Sequence, residues 1–199
     1  MSPTVKSTVE ATGLSYGGAG NALRFLTEEG LLEQDVERGP RSGRRLEDPH
    51  RLLDVYAEAV SGGGSGPEIH LGVIWDEVVE GMARVGETLT AHAISWACTS
   101  ALGAQVLAPH LTAVASAEVY VDATTPEELR GVAKLLDLRP VEGGRLTLRP
   151  FPTKVTMAFS TTRDGLVIAP WPRVFADVRS SGVRGEDAAE HLREVHLES

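Results

Sequence analysis

The first residues whose chemistry suggests a function lie between positions 15 and 24. Asn21 and Arg24 carry side chains that can each form two hydrogen bonds to a base edge, asparagine to adenine and arginine to guanine. Tyr16 adds a polar group nearby, and Ser15 precedes it. Glycines between them would let a helix approach a surface closely, although each costs about 1 kcal/mol of helix propensity. The pattern predicts that Ser15, Tyr16, Asn21 and Arg24 contact the major groove of double-stranded DNA.

A run of arginines follows shortly after these residues, in the segment RGPRSGRR. The segment contains no acidic residue, and its glycines and proline predict a loop. Such cations can contact phosphates or the minor groove, so we predict DNA contacts from Arg38, Arg41, Arg44 and Arg45. The alternative interpretation, a solvated loop without a ligand, stays open.

Local signals define the helices that would position these side chains. A first helix should begin near Thr4 and end at Gly13, because a left-handed residue costs glycine little. Ser15 is a good N-cap for a second helix that ends at Gly30. We expect Leu14 to fix the turn to the core, and the inward face of the second helix to carry Ala22, Leu23 and Leu26.

Two helices joined by a sharp turn and followed by a basic hairpin are typical of a winged helix-turn-helix. Only three residues precede Thr4, so the domain is expected to be partial and to lack the first helix of a three-helix winged domain. Whether such a helix precedes Met1 or a partner covers its place stays open. A helical domain that binds no DNA is the competing interpretation.

The charge is unevenly distributed along the chain. The formal net charge is -9, but residues 1–51 hold seven Lys and Arg against eight Asp and Glu and are close to neutral. The remaining residues therefore carry about eight negative charges. Because phosphate binding depends on the local field, this balance predicts an affinity for DNA that is weak or salt-sensitive.

The rest of the chain predicts an α+β protein with two domains. A helix through residues 49–60 ends the DNA-binding domain, 1–60, and the Gly/Ser segment 61–66 is a linker. A mixed α/β domain follows over 67–199. Its expected elements are helices over 67–85, 92–106, 125–136, 172–180 and 185–197, strands over 117–123 and 145–151, and a hairpin of 154–159 with 166–169. In the first of these helices Ile69, Val73, Ile74, Val78 and Met82 should face inward.

Several functional classes lack support in the residues. No apolar run is long enough for a membrane span, and the start is unlike a signal peptide. The single Cys98, expected to be buried in an Ala-rich helix, fits a reducing cytoplasm. The histidines lack metal-ligand spacing, and Asp76 and Glu77 are adjacent where a nucleotidyltransferase needs alternating carboxylates on a strand. We therefore expect no metal, no cofactor and no catalytic activity.

Four stretches together resemble the AbiEi family of type IV toxin–antitoxin antitoxins and related bacterial winged-helix regulators. They cover residues 13–32, 46–59, 117–123 and 174–194, and in the last a helix with Asp177 is followed by a turn and Ala-Ala-Glu-His-Leu. The resemblance implies an N-terminal DNA-binding domain that represses its own operon. It also implies a C-terminal domain that acts against a nucleotidyltransferase-type toxin.

The sequence thus favours a bacterial, cytoplasmic, DNA-binding transcriptional regulator, with double-stranded DNA and a nucleotidyltransferase-type toxin as partners and no membrane association. The oligomeric state stays open, with a homodimer among the alternatives. A second hypothesis is an interaction protein that neutralises a toxin without binding DNA. A third is a degenerate enzyme with a nucleotidyltransferase-like fold.

Overall fold

The computed structural model describes residues 3–34, 43–61, 66–110 and 114–198. Helices and strands are mixed, so the predicted α+β class is confirmed. The chain divides into two compact units, 1–55 and 56–199, which we describe separately. The central part of the predicted linker and two of the four predicted arginines, Arg38 and Arg41, lie outside the described residues.

Two short helices open the first unit, α1 over Val5–Thr12 and α2 over Tyr16–Glu28. Gly13 ends α1 with a left-handed φ of 70°. The N–H of Gly18 donates to the Oγ of Ser15 at 3.1 Å, so the predicted N-cap of α2 is confirmed. The turn between the helices therefore follows from a residue that tolerates positive φ and one that caps a helix.

A two-stranded hairpin follows α2. Gly30, with a φ of 65°, reverses the chain, and the N–H of Leu31 donates to the carbonyl of Leu26 at 2.8 Å. Strand β1, Leu32–Gln34, then pairs antiparallel with β2, Arg44–Leu46. Helix α3, Pro49–Ser61, begins three residues after β2.

The core of the first unit is small. Its buried apolar side chains are Ala19, Leu23, Leu31, Leu32 and Leu53. Two predictions were wrong here, because Ala22 is exposed rather than inward and Leu14 is 40% exposed rather than fixed to the core. The turn is held by backbone and cap hydrogen bonds, so it does not need Leu14 as an anchor.

A six-stranded mixed sheet forms the centre of the second unit. In spatial order the strands are β3 (Ile69–Leu71), β6 (Leu146–Pro150), β5 (Ala117–Val121), β4 (Trp96–Thr99), β8 (Leu166–Ile168) and β7 (Thr161–Arg163). The β5–β6 and β4–β8 pairs are parallel, and the other pairs are antiparallel. The predicted strand at the start of 117–123 and the predicted strand within 145–151 are confirmed.

Within the described part of the second unit, six helices accompany this sheet: α4 (Val78–Ala91), α5 (Ser100–Leu107), α6 (Pro126–Leu135), α7 (Lys154–Ala158), α8 (Trp171–Arg179) and α9 (Val183–Leu197). Helix α8 packs on both α5 and α9. The capping box predicted at Thr125 is present, with its hydroxyl accepting from the N–H of Glu128. Gly86 lets α4 approach the sheet, since a β-carbon there would lie 2.1 Å from the ring of Trp96. Among the described residues no helix is long and apolar enough to cross a membrane.

The helix predicted over 67–85 was wrong in its first half. Ile69 pairs with Leu148 in the sheet, a loop follows, and α4 begins only at Val78. Ile74, expected to face inward, is 98% exposed, whereas Met82 is fully buried as expected. A three-residue strand is too short to show a period, so the apolar spacing matched a helix equally well.

Two further assignments were corrected by tertiary pairing. The single helix expected over 92–106 is strand β4 followed by α5, and Cys98 lies buried in the strand. Segment 154–159, expected to be a strand, contains α7, capped by Thr153. The hairpin partner of β8 is β7, joined to it through Asp164 and Gly165, which both have positive φ as a tight two-residue turn requires.

Candidate functional site

The outward face of α2 presents Asn21 and Arg24, two of the residues predicted to contact DNA. Each residue advances about 100° around a helix, so Asn21 lies opposite the buried Ala19 and Leu23. Asn21 and Arg24 are exposed, and the side chain of Tyr16 in the first turn is 64% exposed. The first unit therefore offers these polar groups to solvent on one helix.

Two glycines leave the same helix open to close approach. A β-carbon built on Gly17 or Gly20 would have no described atom within 4 Å. Gly17 lies one turn before Asn21 and close to the same direction around the helix. A partner could therefore reach the backbone of α2 beside the asparagine.

Arg24 contacts two neighbours along the helix. Its Nη2 donates to the Oδ1 of Asn21 at 2.9 Å, and its Nε lies 3.9 Å from a carboxylate oxygen of Glu28. Both contacts are exposed, so each contributes little stability. The hydrogen bond with Arg24 does orient the side chain of Asn21, because the amide oxygen of Asn21 points toward the guanidinium.

The two described arginines of the hairpin contact their own unit. Arg44 donates from Nε to the Oγ1 of Thr27 at 3.3 Å. Arg45 forms ion pairs with Glu47 at 2.6 Å and with Glu33, its cross-strand neighbour, at 3.5 Å. The hairpin thus supplies these two cations with local acceptors, which weaken the field that the two arginines contribute.

Sequence reasoning missed Phe25 on this face. Its side chain is 54% exposed, and it lies four residues after Asn21 on the same side of α2. The available signal was its position, since a residue four after an outward-facing asparagine also faces outward. A large exposed aromatic beside polar groups is a feature of contact surfaces.

The second unit contains a buried polar cluster formed by Thr99, Tyr120, Arg173 and Asp177. One carboxylate oxygen of Asp177 accepts from the hydroxyl of Thr99 at 2.5 Å and from that of Tyr120 at 2.6 Å. Arg173, one helical turn earlier, pairs with the other oxygen at 2.8 Å. These bonds attach α8 to the adjacent strands β4 and β5.

Burial and charge shift the pKa values within this cluster. Burial, aided by the charge of Asp177, raises the pKa of Tyr120 well above its ordinary value. Burial lowers the pKa of Arg173, but the interactions with Asp177 and Tyr120 together outweigh burial, and the net shift of the pKa is upward. Burial also raises the pKa of Tyr56, against the opposing effect of Arg173. These shifts favour a neutral Tyr120 and a charged Arg173, which are the states that can bind the carboxylate of Asp177 and hold α8 against the sheet.

Other candidate chemical groups have structural roles. Burial raises the pKa of the Cys98 thiol strongly, which disfavours the thiolate that a nucleophile needs. Glu77 is the N-cap residue of α4 and does not lie on a strand. The ring of His191 stacks on His110 at 4.7 Å. Across the described ranges, no group of three or more His, Cys, Asp or Glu is arranged to hold a metal ion.

Comparison of the chain with protein-family models, with curated proteins and with solved structures finds no significant match.

Proposed function

We propose that this chain is a bacterial transcriptional regulator that binds duplex DNA through its first unit. The observation that supports this most is the succession of α1, a capped three-residue turn, α2 and a hairpin, with Asn21 and Arg24 exposed on α2. In a winged helix-turn-helix the second helix enters the major groove. Here α2 would contact base edges, and the hairpin would contact the backbone alongside.

The glycines of α2 support a close approach to the groove. With only backbone at Gly17 and Gly20, the helix would be able to lie deeper than one with side chains at those positions. Deep insertion brings Asn21 within hydrogen-bonding distance of bases. Ser15 would keep its N-cap role, since its hydroxyl oxygen accepts from the N–H of Gly18.

The electrostatics support a modest affinity. To contact a phosphate, Arg45 would have to give up its ion pairs with Glu33 and Glu47. The free energy gained from the phosphate is therefore partly offset by the loss of these ion pairs. Each phosphate contact contributes about 0.9 to the dependence of log affinity on log salt concentration. Arg44 and Arg45 together should therefore contribute about 1.8 to this dependence, in addition to any contribution from Arg38 and Arg41.

The resemblance to AbiEi-type antitoxins adds the biological setting to this proposal. On that basis the chain would act in the cytoplasm, repress its own operon and use the second unit against a nucleotidyltransferase-type toxin. We assign the second unit a binding role rather than catalysis. The closed hydrogen bonding of Asp177 with Thr99, Tyr120 and Arg173 supports this, because it leaves the carboxylate committed to the fold.

One observation favours a protein-interaction function for the first unit instead. Leu14 and Phe25 are large apolar side chains that are 40% and 54% exposed. Surfaces that mix exposed apolar groups with paired charges also suit a protein partner. Under this alternative the unit would bind another protein and show only weak, sequence-independent affinity for DNA.

A binding titration separates the two functions. The full chain is titrated against a fluorescent duplex from the region upstream of its own gene, at several salt concentrations. Asn21→Ala should lower the affinity about 10- to 100-fold, and Arg44→Ala with Arg45→Ala should lower both affinity and salt slope. Arg130→Ala, which removes an exposed cation of the second unit, is the matched control.

Equal affinity for the upstream duplex and for unrelated DNA, unchanged by Asn21→Ala, would contradict the proposal and favour the protein-interaction alternative. A loss of affinity in the Arg130→Ala control as large as in the hairpin variants would show that overall charge, not the hairpin, governs binding.

A further inference from the structure

Two exposed side chains on α2 share one direction. Asn21 and Phe25 are four residues apart, which places them on the same face and about 6 Å apart along the axis. Phe25 remains 54% exposed, and Asn21 is exposed beside it. A surface docked against this face would meet an amide and then an aromatic ring.

The amide of Asn21 has a defined orientation. Its Oδ1 accepts from Nη2 of Arg24 at 2.9 Å, so its Nδ2 points away from the guanidinium. The amide nitrogen then donates outward, while the second lone pair of Oδ1 still accepts. One donor and one acceptor on the same edge match N7 and N6 of adenine.

Arg24 directs its guanidinium at two side chains of its own helix. Its Nη2 donates to the Oδ1 of Asn21 at 2.9 Å, and its Nε lies 3.9 Å from a carboxylate oxygen of Glu28. A guanidinium carries five N–H donors, so these contacts leave donors for other acceptors. The contact with Asn21 also holds the orientation of its amide.

We infer that, given the proposed DNA-binding function, α2 recognises A·T pairs. Asn21 hydrogen-bonds an adenine, Phe25 packs on the C5 methyl group of a neighbouring thymine, and Arg24 is a positioning residue for Asn21. The assignment changes the expected target, because the sequence alone pairs Arg24 with guanine. Aromatic contact with the thymine methyl is the apolar part of major-groove recognition.

A selection experiment tests the inference. The full chain selects duplexes from a 30-base-pair random library, and the consensus is then probed by replacing single thymines with deoxyuridine, which removes only the methyl group. One replacement should weaken binding about fourfold, the value expected for one buried methyl group. Phe25→Ala should bind more weakly and respond to the same replacement by less than twofold.

Leu14→Ala is the matched control, since it removes another exposed apolar side chain that precedes α2. This variant should keep the full response to deoxyuridine. Arg24→Ala should select the same A·T positions with a smaller preference for adenine at the Asn21 contact. All these side chains are exposed, so unchanged melting temperatures will show that the variants fold.

The outcomes separate the inference from the proposed function. Three results would overturn the inference and leave DNA binding intact. They are a consensus of G·C pairs, a guanine in the consensus whose preference disappears in Arg24→Ala, and an affinity that does not change when thymine is replaced by deoxyuridine. If the selection enriches no sequence and the chain binds all duplexes with equal affinity, both the inference and the proposed function are overturned.

Discussion

Replacing Ala93 with glycine should stabilise the second unit. Ala93 follows α4 with a φ of 56°, in the left-handed region. Its N–H donates to the carbonyl of Thr90 at 3.0 Å, and the next N–H, of Ile94, donates to Leu89 at 3.0 Å. This pair of bonds is the Schellman motif, whose left-handed position usually holds glycine.

The same motif ends two other helices, with a different residue at the left-handed position each time. Gly30 occupies it after α2 with a φ of 65°, and Asp137 occupies it after α6 with a φ of 53°. Glycine has no strain there, and aspartate is among the residues that tolerate the region best. Alanine has neither advantage, so Ala93 is the strained member of the set.

The expected gain is a difference of two effects. The left-handed region costs an alanine about 1–2 kcal/mol. Replacing alanine by glycine removes this cost, but it also makes the unfolded chain more flexible, which lowers the free energy of unfolding by about 0.4–1 kcal/mol. The net stabilisation is therefore about 0–1.6 kcal/mol, and its midpoint of about 0.8 kcal/mol corresponds to a rise in melting temperature of about 2–3 °C for a chain of this size.

Thermal and urea denaturation of the full chain, followed by circular dichroism, measures this change. Ala83→Gly, inside α4, is the matched control and should destabilise by about 1 kcal/mol from helix propensity alone. If both variants destabilise the protein equally, the left-handed conformation of Ala93 in solution is refuted.

Three other perturbations follow from the buried and capped groups. Asp177→Asn should destabilise the chain by about 3–5 kcal/mol in urea denaturation, because Arg173 would be left buried without its charge partner. Asp122→Asn, at an exposed position, should change the stability little. Equal effects of the two substitutions would contradict the structural role of the buried cluster around Asp177. Hydrogen bonds from Thr124 and Thr125 lower the pKa of Glu128, so the carboxylate stabilises the folded chain above the ordinary glutamate range and this stabilisation is lost as pH falls through the lowered pKa. The difference in melting temperature between the native chain and Glu128→Gln should therefore shrink in acid. A difference that grows in acid would contradict the capping role of the carboxylate. Cys98 should resist a thiol reagent at pH 8 until denaturant is added, because it is fully buried and its pKa is raised; rapid labelling of the native chain would contradict its burial.

Local signals in the sequence were enough to place the two helices that open the first unit, but not the side chains of Leu14 and Ala22, which were expected to face the core. Gly13, Ser15 and Gly30 each control a helix end through their own backbone preference or side chain, so α1 and α2 were predicted from neighbouring residues. The outward direction of Asn21 followed from helix periodicity. The ion pair of Arg45 with Glu33 did not, because it depends on the strand register across the hairpin.

Long-range contacts explain what the sequence left unpredicted in the second unit. Strand Ile69–Leu71 exists because it pairs with β6, whose partner residues lie more than 70 positions away. The hydroxyl of Thr99 meets Asp177 across 78 residues, and that of Tyr120 meets it across 57. The sequence showed the Arg173 and Asp177 spacing on one helix face, but not the two hydroxyls that complete the cluster.

The long sequence separation of the Asp177 contacts has a consequence for synthesis of the chain on the ribosome. Until α8 has emerged, the hydroxyls of Thr99 and Tyr120 lack their acceptor, and β4 lacks its parallel neighbour β8. The second unit can therefore complete its fold only after nearly the whole chain has been made. The first unit closes its turn, hairpin and caps within residues 1–55, so it can fold while the remainder is still being translated.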